Sequence, residues 1–403
     1  MKQQKPKWLR KRHLVIRNLA YPILYLYSKV QYGLQVERFR RQENRPYLVL
    51  FNHQTAFDQF FVGMSFRGAV YYVATEDLFS NGWVSSLIRW LVAPIPIKKQ
   101  TTDITAIKNC LRVAREGGTI AMAPEGNRTY SGRTVYINPA VAGLARKLGM
   151  PIALYRIEGG YGVQPRWSDG VRRGKVHAYV SRVIAPEEYA AMTDEQLYEA
   201  IRTELAVDEG VADARFRSHK KAEYLERAMY VCPFCGLTKF ESRGNETECT
   251  TCHRKVAYGE DKSLTGVGFD FPFSFVAQWY DYQEEFINRL DVTVHTETPL
   301  YEDTAALSEV IVYQRKNKLR STASVALYGD RIEVDGTTES SLLLPFDQVT
   351  AVSVLGRNKL NVYHEGHIYQ FKGDKRFNAL KYVNIYYRYK NVVKDNGSTF
   401  LGI

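Results

Sequence analysis

At 403 residues the chain is too long for one ordinary core, and two or three domains are expected. A hydrophobic share of 45% with 24% charged residues excludes a disordered or fibrous protein. The +12 excess is concentrated at one end, because residues 1–45 hold twelve Lys and Arg against Glu37 and Glu43, so an anionic partner, lipid head groups or nucleic acid, is implied there.

The apolar run 18–28 lies between Arg17 and Lys29 and is too short to span the ~30 Å of a bilayer core. It lacks a small-residue cleavage site, so no signal peptide is expected and the chain is assigned to the cytoplasmic side. Residues 8–40 read as an amphipathic helix, with Leu14, Ile16, Leu19, Ile23, Leu24, Leu26 and Tyr27 interleaved with Arg17, Lys29 and Arg38. Such a helix can lie in the head-group plane with its cations snorkelling, or simply pack on the first domain. The high aromatic content, 28 Tyr and 19 Phe, suits a membrane interface.

From residue 46 short apolar runs at 47–51, 70–74, 119–123 and 152–157 read as strands covered on both faces. Helical patterns separate them at 103–116, stopped by Gly117-Gly118, and at 139–148, ended by Gly149. Residues 175–184 alternate as a strand, and Thr193 to Gln196 is a capping box opening a helix with Leu197, Ile201 and Leu205. The predicted class is an α/β domain over 46–228, a mixed sheet flanked by helices. A cysteine-bearing segment at 229–260 follows, then a helical linker at 261–305 and a β-rich domain at 306–403. In the last, strands at 308–374 turn at Gly329-Asp330, Asp335-Gly336 and Glu365-Gly366, and a helix from Lys375 to about Val393 carries Phe377, Leu380, Val383 and Tyr387 inward.

Chemistry concentrates at strand ends. His53 and Asp58, five apart where a strand meets a helix, can pair so that the carboxylate accepts the imidazole Nδ1–H and leaves Nε2 as general base. After a second strand, Pro124-Glu125-Gly126-Asn127-Arg128 offers a glycine for close backbone approach and an arginine to grip a phosphate. Glu125 is expected to accept from a hydroxyl or to hold Arg128. Both segments follow apolar strands, so both should project from the same end of the sheet. Lys98 and Lys99 close the apolar stretch between them, and Met150-Pro151 enters another strand.

In this order and spacing the four segments resemble the glycerolipid acyltransferase family, of the lysophosphatidic acid acyltransferase type, over about residues 30–200. The resemblance implies transfer of a fatty acyl group from acyl-CoA or acyl carrier protein to a lysophospholipid hydroxyl, above all 1-acyl-glycerol-3-phosphate, giving phosphatidic acid. It implies His53 as base, Asp58 as its partner, and Lys98, Lys99, Glu125, Gly126, Asn127 and Arg128 as acceptor-binding. The sequence departs from the family pattern at Lys99 (usually Arg), at Asn127 (commonly Thr) and at Leu154 (often Pro), which bears on acceptor identity. Backbone amides near 124–127 are the expected oxyanion donors. Cys110, with no motif around it, is read as core.

Cys232, Cys235, Cys249 and Cys252 form CxxC-x13-CxxC, four thiolates suited to a structural, tetrahedral Zn²⁺ in a reducing compartment, with His253 superfluous and a redox pair as the alternative. The segment resembles a zinc ribbon. The C-terminal strands and helix resemble the pleckstrin-homology or GRAM-like fold. The expected location is the cytoplasmic face of the membrane, bound to anionic lipid and without nucleic acid. The rivals are an acyltransferase for a glycolipid or aminolipid acceptor, and a zinc-ribbon adaptor with no enzyme activity that binds anionic lipid or nucleic acid.

Overall fold

The computed structural model describes the chain except residues 1–6, 41–45, 99–102, 213, 312–313, 315, 337–340 and 396, and the side chains of 76–77. The chain divides into two compact units, one within 1–166, 171–209 and 214–216, the other within 167–170, 210–213 and 217–403.

The first unit opens with helix α1 (Lys11–Tyr32) and strand β1 (Leu34–Val36). The helix expected to run to residue 40 therefore stops early. Gly33 adopts a left-handed φ of 59° and caps it by returning its N–H to Ser28 O, a conformation glycine reaches without strain. Then come β2 (Leu48–Phe51), α2 (Asp58–Ser65), β3 (Val70–Thr75), α3 (Trp83–Val92), β4 (Ile95–Ile97), α4 (Ile104–Arg115), β5 (Thr119–Met122), α5 (Ala140–Leu148) and β6 (Ile152–Glu158). Short α6 (Gly160–Val163), β7 (Val176–Ile184), α7 (Pro186–Ala190) and α8 (Asp194–Leu205) complete it.

Among the described residues seven strands form one sheet in the order β1-β7-β6-β2-β5-β3-β4. Strands β6, β2, β5, β3 and β4 are parallel, whereas β7 runs antiparallel to β6 and β1 pairs parallel with β7. The sheet is thus mixed and covered by helices on both sides, as expected. Alternation within the apolar runs explains the covering. Leu48, Leu50, Ile120 and Ile152 face one core with α4, α5 and α8, while Val49, Phe51, Ala121 and Ala153 face the other with Tyr32 and α2. Cys110 lies in the first core, and burial pushes its thiol up to about 12, so it is inert packing. The capping box at Thr193 and Gln196 is present at the start of α8, and Asp103 caps α4 through Thr105 N and Ala106 N.

The second unit contains a two-stranded ribbon, β8 (Val231–Cys232) with β9 (Gly236–Leu237). Next is an antiparallel sheet of β10 (Phe240–Arg243), β11 (Glu246–Cys249), β12 (Lys255–Tyr258) and β13 (Leu264–Gly266), followed by α9 (Val276–Arg289). A seven-stranded antiparallel sheet follows: β14 (Tyr301–Glu309), β15 (Asn317–Leu327), β16 (Arg331–Val334), β17 (Leu342–Pro345), β18 (Val349–Leu355), β19 (Lys359–His364) and β20 (His367–Gly373), in the order β17-β16-β15-β14-β20-β19-β18. Its first strand begins earlier than the expected 308, because Tyr301, Ala305 and Leu307 already alternate inward. Helix α10 (Leu380–Lys394) packs on it, with Tyr386 Oη donating to Val349 O at 2.8 Å. The helix begins five residues later than predicted. Asp374 caps Arg376 N in a local turn, and Phe377 is buried ahead of the first helical residue. Left-handed Asp335, Glu365 and Gly366 make the turns that their residue types suggested.

Among the described residues no helix is long and apolar enough to cross a membrane.

Candidate functional site

Strand β2 parts from β6 at Asn52. The Asn52 amide accepts from Ile157 N at 2.7 Å and donates to Ile157 O at 2.8 Å, replacing the backbone pair that the strand would have made. The next residues are thereby released to turn over the carboxyl end of the sheet. Asp58, at the first position of α2, closes that turn. Its fully buried carboxylate accepts from Gln54 N (2.7 Å), Thr55 N (2.9 Å) and Thr55 Oγ1 (2.6 Å). The same oxygen that binds Gln54 N lies 2.8 Å from His53 Nδ1. Nδ1–H donation to this charge leaves the Nε2 lone pair as the ring's proton acceptor. Burial lowers the His53 pKa below 6.5. The Asp58 hydrogen bond and charge oppose the shift, and the Arg128 and Arg166 guanidinium groups add to it.

The loop after β5 is stapled to the same histidine on both sides. Glu125 Oε1 accepts from His53 N at 2.7 Å, and Thr129 N donates to His53 O at 3.2 Å. The other Glu125 oxygen accepts from Val135 N at 2.9 Å. Both Glu125 oxygens thus hold backbone amides. Burial, aided by the Asp58 charge, pushes this carboxyl up to about 8. Gly126 sits exposed at φ +66° with open space where a Cβ would go, so conformation, not room, selects glycine. Its N–H, one of the expected oxyanion donors, turns back to Ala123 O at 3.0 Å. Asn127 is buried and Arg128 half-buried. Lys98 follows β4 at the same sheet end, exposed, with its N–H on Asp103 Oδ2 at 3.0 Å. Lys99 lies outside the described residues.

Sequence reasoning missed the segment after β6. Gly160 presses so close to the His53–Asp58 turn that a Cβ would come within 2.6 Å of Gln54 Cβ. Gln164 Oε1 accepts from Ala56 N (3.1 Å) and Tyr32 Oη (3.3 Å). Arg166, 3% exposed, donates to Arg128 O at 2.8 Å and to Asn127 Oδ1 at 3.2 Å. The usable signal was Gly159-Gly160 directly after an apolar strand, the same strand-end logic that picked out β2 and β5.

In the second unit the four motif cysteines converge, all Sγ atoms lying within 4.8 Å of one another. Cys232 and Cys252 sulfurs are 3.9 Å apart. Tetrahedral sulfur ligands about 2.3 Å from a metal stand about 3.8 Å from each other, so the set fits an ion. Helix α9 pins the strand presenting Cys232: Trp279 Nε1 donates to Val231 O at 2.9 Å, and Gln283 Oε1 accepts from Tyr230 N at 2.8 Å. His253 is exposed and turned to Glu248, 3.0 Å away, so it is no part of the cluster.

The mixed sheet bears a His–Asp unit at one strand end and a Glu-Gly-x-Arg loop at the next, and residues 34–157 match the family model described as Acyltransferase. The match falls on the segment whose motifs resemble the glycerolipid acyltransferases. The chloroplast 1-acyl-sn-glycerol-3-phosphate acyltransferase of Brassica napus is 22% identical over 154 residues, 37% of this chain and 44% of that protein. A chloroplast counterpart from Arabidopsis thaliana is 23% identical over 146 residues, 34% of this chain and 39% of that one. The chain thus spans less than half the length of these curated relatives. The crystal structure of the 1-acyl-sn-glycerophosphate acyltransferase of Thermotoga maritima aligns with a TM-score of 0.38 and 21% identity, over 48% of this chain and 75% of that one.

The field at His53 has a measurable consequence. An unfolded chain takes up the imidazole proton near pH 6.5, whereas the folded chain resists it. The folded state therefore loses stability as pH falls from 6.5 toward the lower folded value. Imidazole NMR assigned through His53→Gln should place the His53 midpoint below 6.5, and a midpoint at or above that value contradicts the burial described.

Proposed function

We propose that this chain is an O-acyltransferase that moves a fatty acyl group from acyl-CoA or acyl carrier protein to the free hydroxyl of 1-acyl-glycerol-3-phosphate, giving phosphatidic acid. The observation that carries the reading is the 2.8 Å His53–Asp58 pair, stapled through the His53 backbone to the loop that holds Arg128. The activity printed for the relatives supports it.

In this reading His53 Nε2 removes the acceptor's hydroxyl proton as the oxygen attacks the thioester carbonyl. The tetrahedral intermediate collapses with loss of thiolate, which takes the proton back from the imidazolium. Asp58 keeps the ring in the Nδ1–H tautomer and stabilises its charged form. The thioester is electrophilic enough that no acyl-enzyme is needed. Arg128 grips the acceptor phosphate, with Lys98, after β4 at the same sheet end, and Lys99 adding charge, while Glu125, Gly126 and Asn127 shape the loop that receives it.

Cys232, Cys235, Cys249 and Cys252 hold a structural Zn²⁺ in a zinc ribbon, because four thiolates leave no open position for chemistry. The seven antiparallel strands closed by a C-terminal helix support a pleckstrin-homology-like assignment for residues after 300. A membrane surface, on its cytoplasmic side, is the working environment. Exposed Leu19, Ile23, Leu26 and Val30 of α1 support this, and so does α3, which presents Trp83 at 77% and Trp90 at 51% exposure. The two helices are tied by Trp8 Nε1 donating to Ala93 O and by the Arg12 guanidinium 4.9 Å over the Trp90 ring.

Transfer to 1-acyl-glycerol-3-phosphate, read as thiol release, should fall ~10²–10⁴-fold or more in His53→Ala and by orders of magnitude in Asp58→Asn, with far-UV circular dichroism unchanged. Near-normal turnover in His53→Ala would sink the enzyme reading, and equal rates on phosphate-free acceptors would favour a glycolipid acceptor.

Purified protein should hold about one zinc per chain with four sulfur neighbours by X-ray absorption, and Cys235→Ser should lose it. A spectrum without sulfur-bound metal rules out the ribbon.

Trp83→Ser with Trp90→Ser should lower co-sedimentation with anionic liposomes, each Lys or Arg near the surface supplying ~1 kcal/mol of the rest. High salt should weaken but not abolish binding by the unaltered chain, since apolar burial is not screened. Undiminished binding by the double variant would remove α3 from the membrane face.

A further inference from the structure

Arg166 is a cation buried to 3% exposure, and one side chain touches three members of the loop after β5. Its guanidinium donates to Arg128 O at 2.8 Å and to Asn127 Oδ1 at 3.2 Å, and it lies 4.3 Å over the Tyr130 ring. The two staples to His53, at Glu125 and Thr129, hold the ends of this loop. Between them the turn at 126–128 has an exposed glycine at its tip, so a separate tether is required to orient residues 127 and 128. Burying a guanidinium is costly unless its donors are met, and here carbonyl oxygens and an aromatic face meet them.

We propose that Arg166, acting through Asn127, is a positioning residue that aims the Arg128 guanidinium at the acceptor phosphate beside His53 and so sets the preference for phosphate-bearing acceptors. The proposal rests on the acyltransferase reading above. It also accounts for Asn127, since only a side-chain amide places a carbonyl on Arg166 at this position, whereas a threonine offers a shorter hydroxyl. Arg166 is too buried to meet substrate itself. Its charge nevertheless reaches the ring. The titratable groups facing His53 are Asp58 and Glu125, the latter pushed up to about 8, and the cations are Arg128 and Arg166, the two guanidinium groups both disfavouring imidazolium. Removing one of them makes the ring easier to protonate.

The test compares Arg166→Gln, which keeps donors but loses charge, with Arg166→Lys and Asn127→Ala in the full-length protein. In Arg166→Gln the acceptor KM for 1-acyl-glycerol-3-phosphate should rise on the order of 10–100-fold, the size of effect that a misplacement of about 1 Å produces. The KM for acyl-CoA should stay within about twofold, and the preference over 1-acyl-glycerol should shrink by the same factor as the acceptor KM rises. Asn127→Ala should reproduce part of this rise and add little to Arg166→Gln, because the two act as one unit. The His53 NMR midpoint should move up in Arg166→Gln and stay near its place in Arg166→Lys, a readout that needs no turnover. Donor and acceptor KM rising together with a lowered Tm, in Gln and Lys variants alike, would reduce Arg166 to packing and overturn the proposal. Unchanged acceptor KM with an unmoved His53 midpoint would overturn it as well. Failure of the unaltered enzyme to use either acceptor would instead refute the acyltransferase reading, leaving the His53 shift to judge Arg166.

Discussion

The structure of the site depends on a carboxylate with no surface open to solvent. Asp58 is fully buried, and an ionised carboxylate in that position is tolerable only if its lone pairs are filled. The residues available to fill them are the ones just before it in sequence, so the chain folds 53–55 around the two oxygens. Amides of Gln54 and Thr55, the Thr55 hydroxyl and the His53 ring all converge there, and the ring becomes one donor among several to a charge that must be satisfied. Orientation and tautomer of the proposed base thus follow from the need to satisfy a buried anion. The spacing of five is the span of this turn from His53, two residues beyond the end of β2, to Asp58 at the first position of α2.

Two carboxyl groups then sit around one histidine with opposite treatment. Asp58 receives donors from His53, Gln54 and Thr55. Glu125 has one amide on each oxygen and is pushed up to about 8. Near neutral pH Glu125 is largely uncharged, which spares the site a second anion next to Asp58. Glu125 also has a mechanical meaning, because it ties His53 N to Val135 N and so joins the ends of β2 and β5.

Much of this was legible in the sequence, and for a definite reason. Strands β2, β5 and β6 are covered on both faces, so their residues are mostly apolar, with Arg156 and Glu158 only toward the end of β6, and their ends are sharp. The chemistry sits at those ends, within a few residues of the apolar run, where linear spacing is also spatial spacing. Thr193 and Gln196 were legible too, because a cap is local. What could not be read lies across long sequence distances. Arg166 reaches Asn127 over 39 residues, and no local pattern marks it. The Asn52–Ile157 bridge spans 105. The apolar face of α3 escaped notice because Trp83, Leu87 and Trp90 read equally well as core. Only the packing of the sheet shows that they point outward. The start of α10 moved from Lys375 to Leu380 because a side-chain cap competes with the helix there, which composition cannot decide.

The N-terminal helix raised a choice between lying on a membrane and packing on the domain; the structure shows the packing and leaves an apolar stripe outside it. One stripe of α1 is packed: His13 against Tyr71, Ser28 buried, and Tyr32 against Phe57 and Phe61 at ring separations of 5.3 and 5.5 Å. The opposite stripe, from Val15 through Leu19 and Ile23 to Val30, is exposed and apolar. Because the last residue of the helix donates to Gln164, and Gln164 also accepts from Ala56 within the His53–Asp58 turn, the helix ends inside the frame of the site. A surface that held the outer stripe would therefore stand at a fixed distance from His53, set by one rigid helix and two hydrogen bonds. On the proposed acyltransferase reading, an acceptor anchored by its acyl chain in that surface would be presented to the base without leaving it, so attachment and catalysis would share a single structural element.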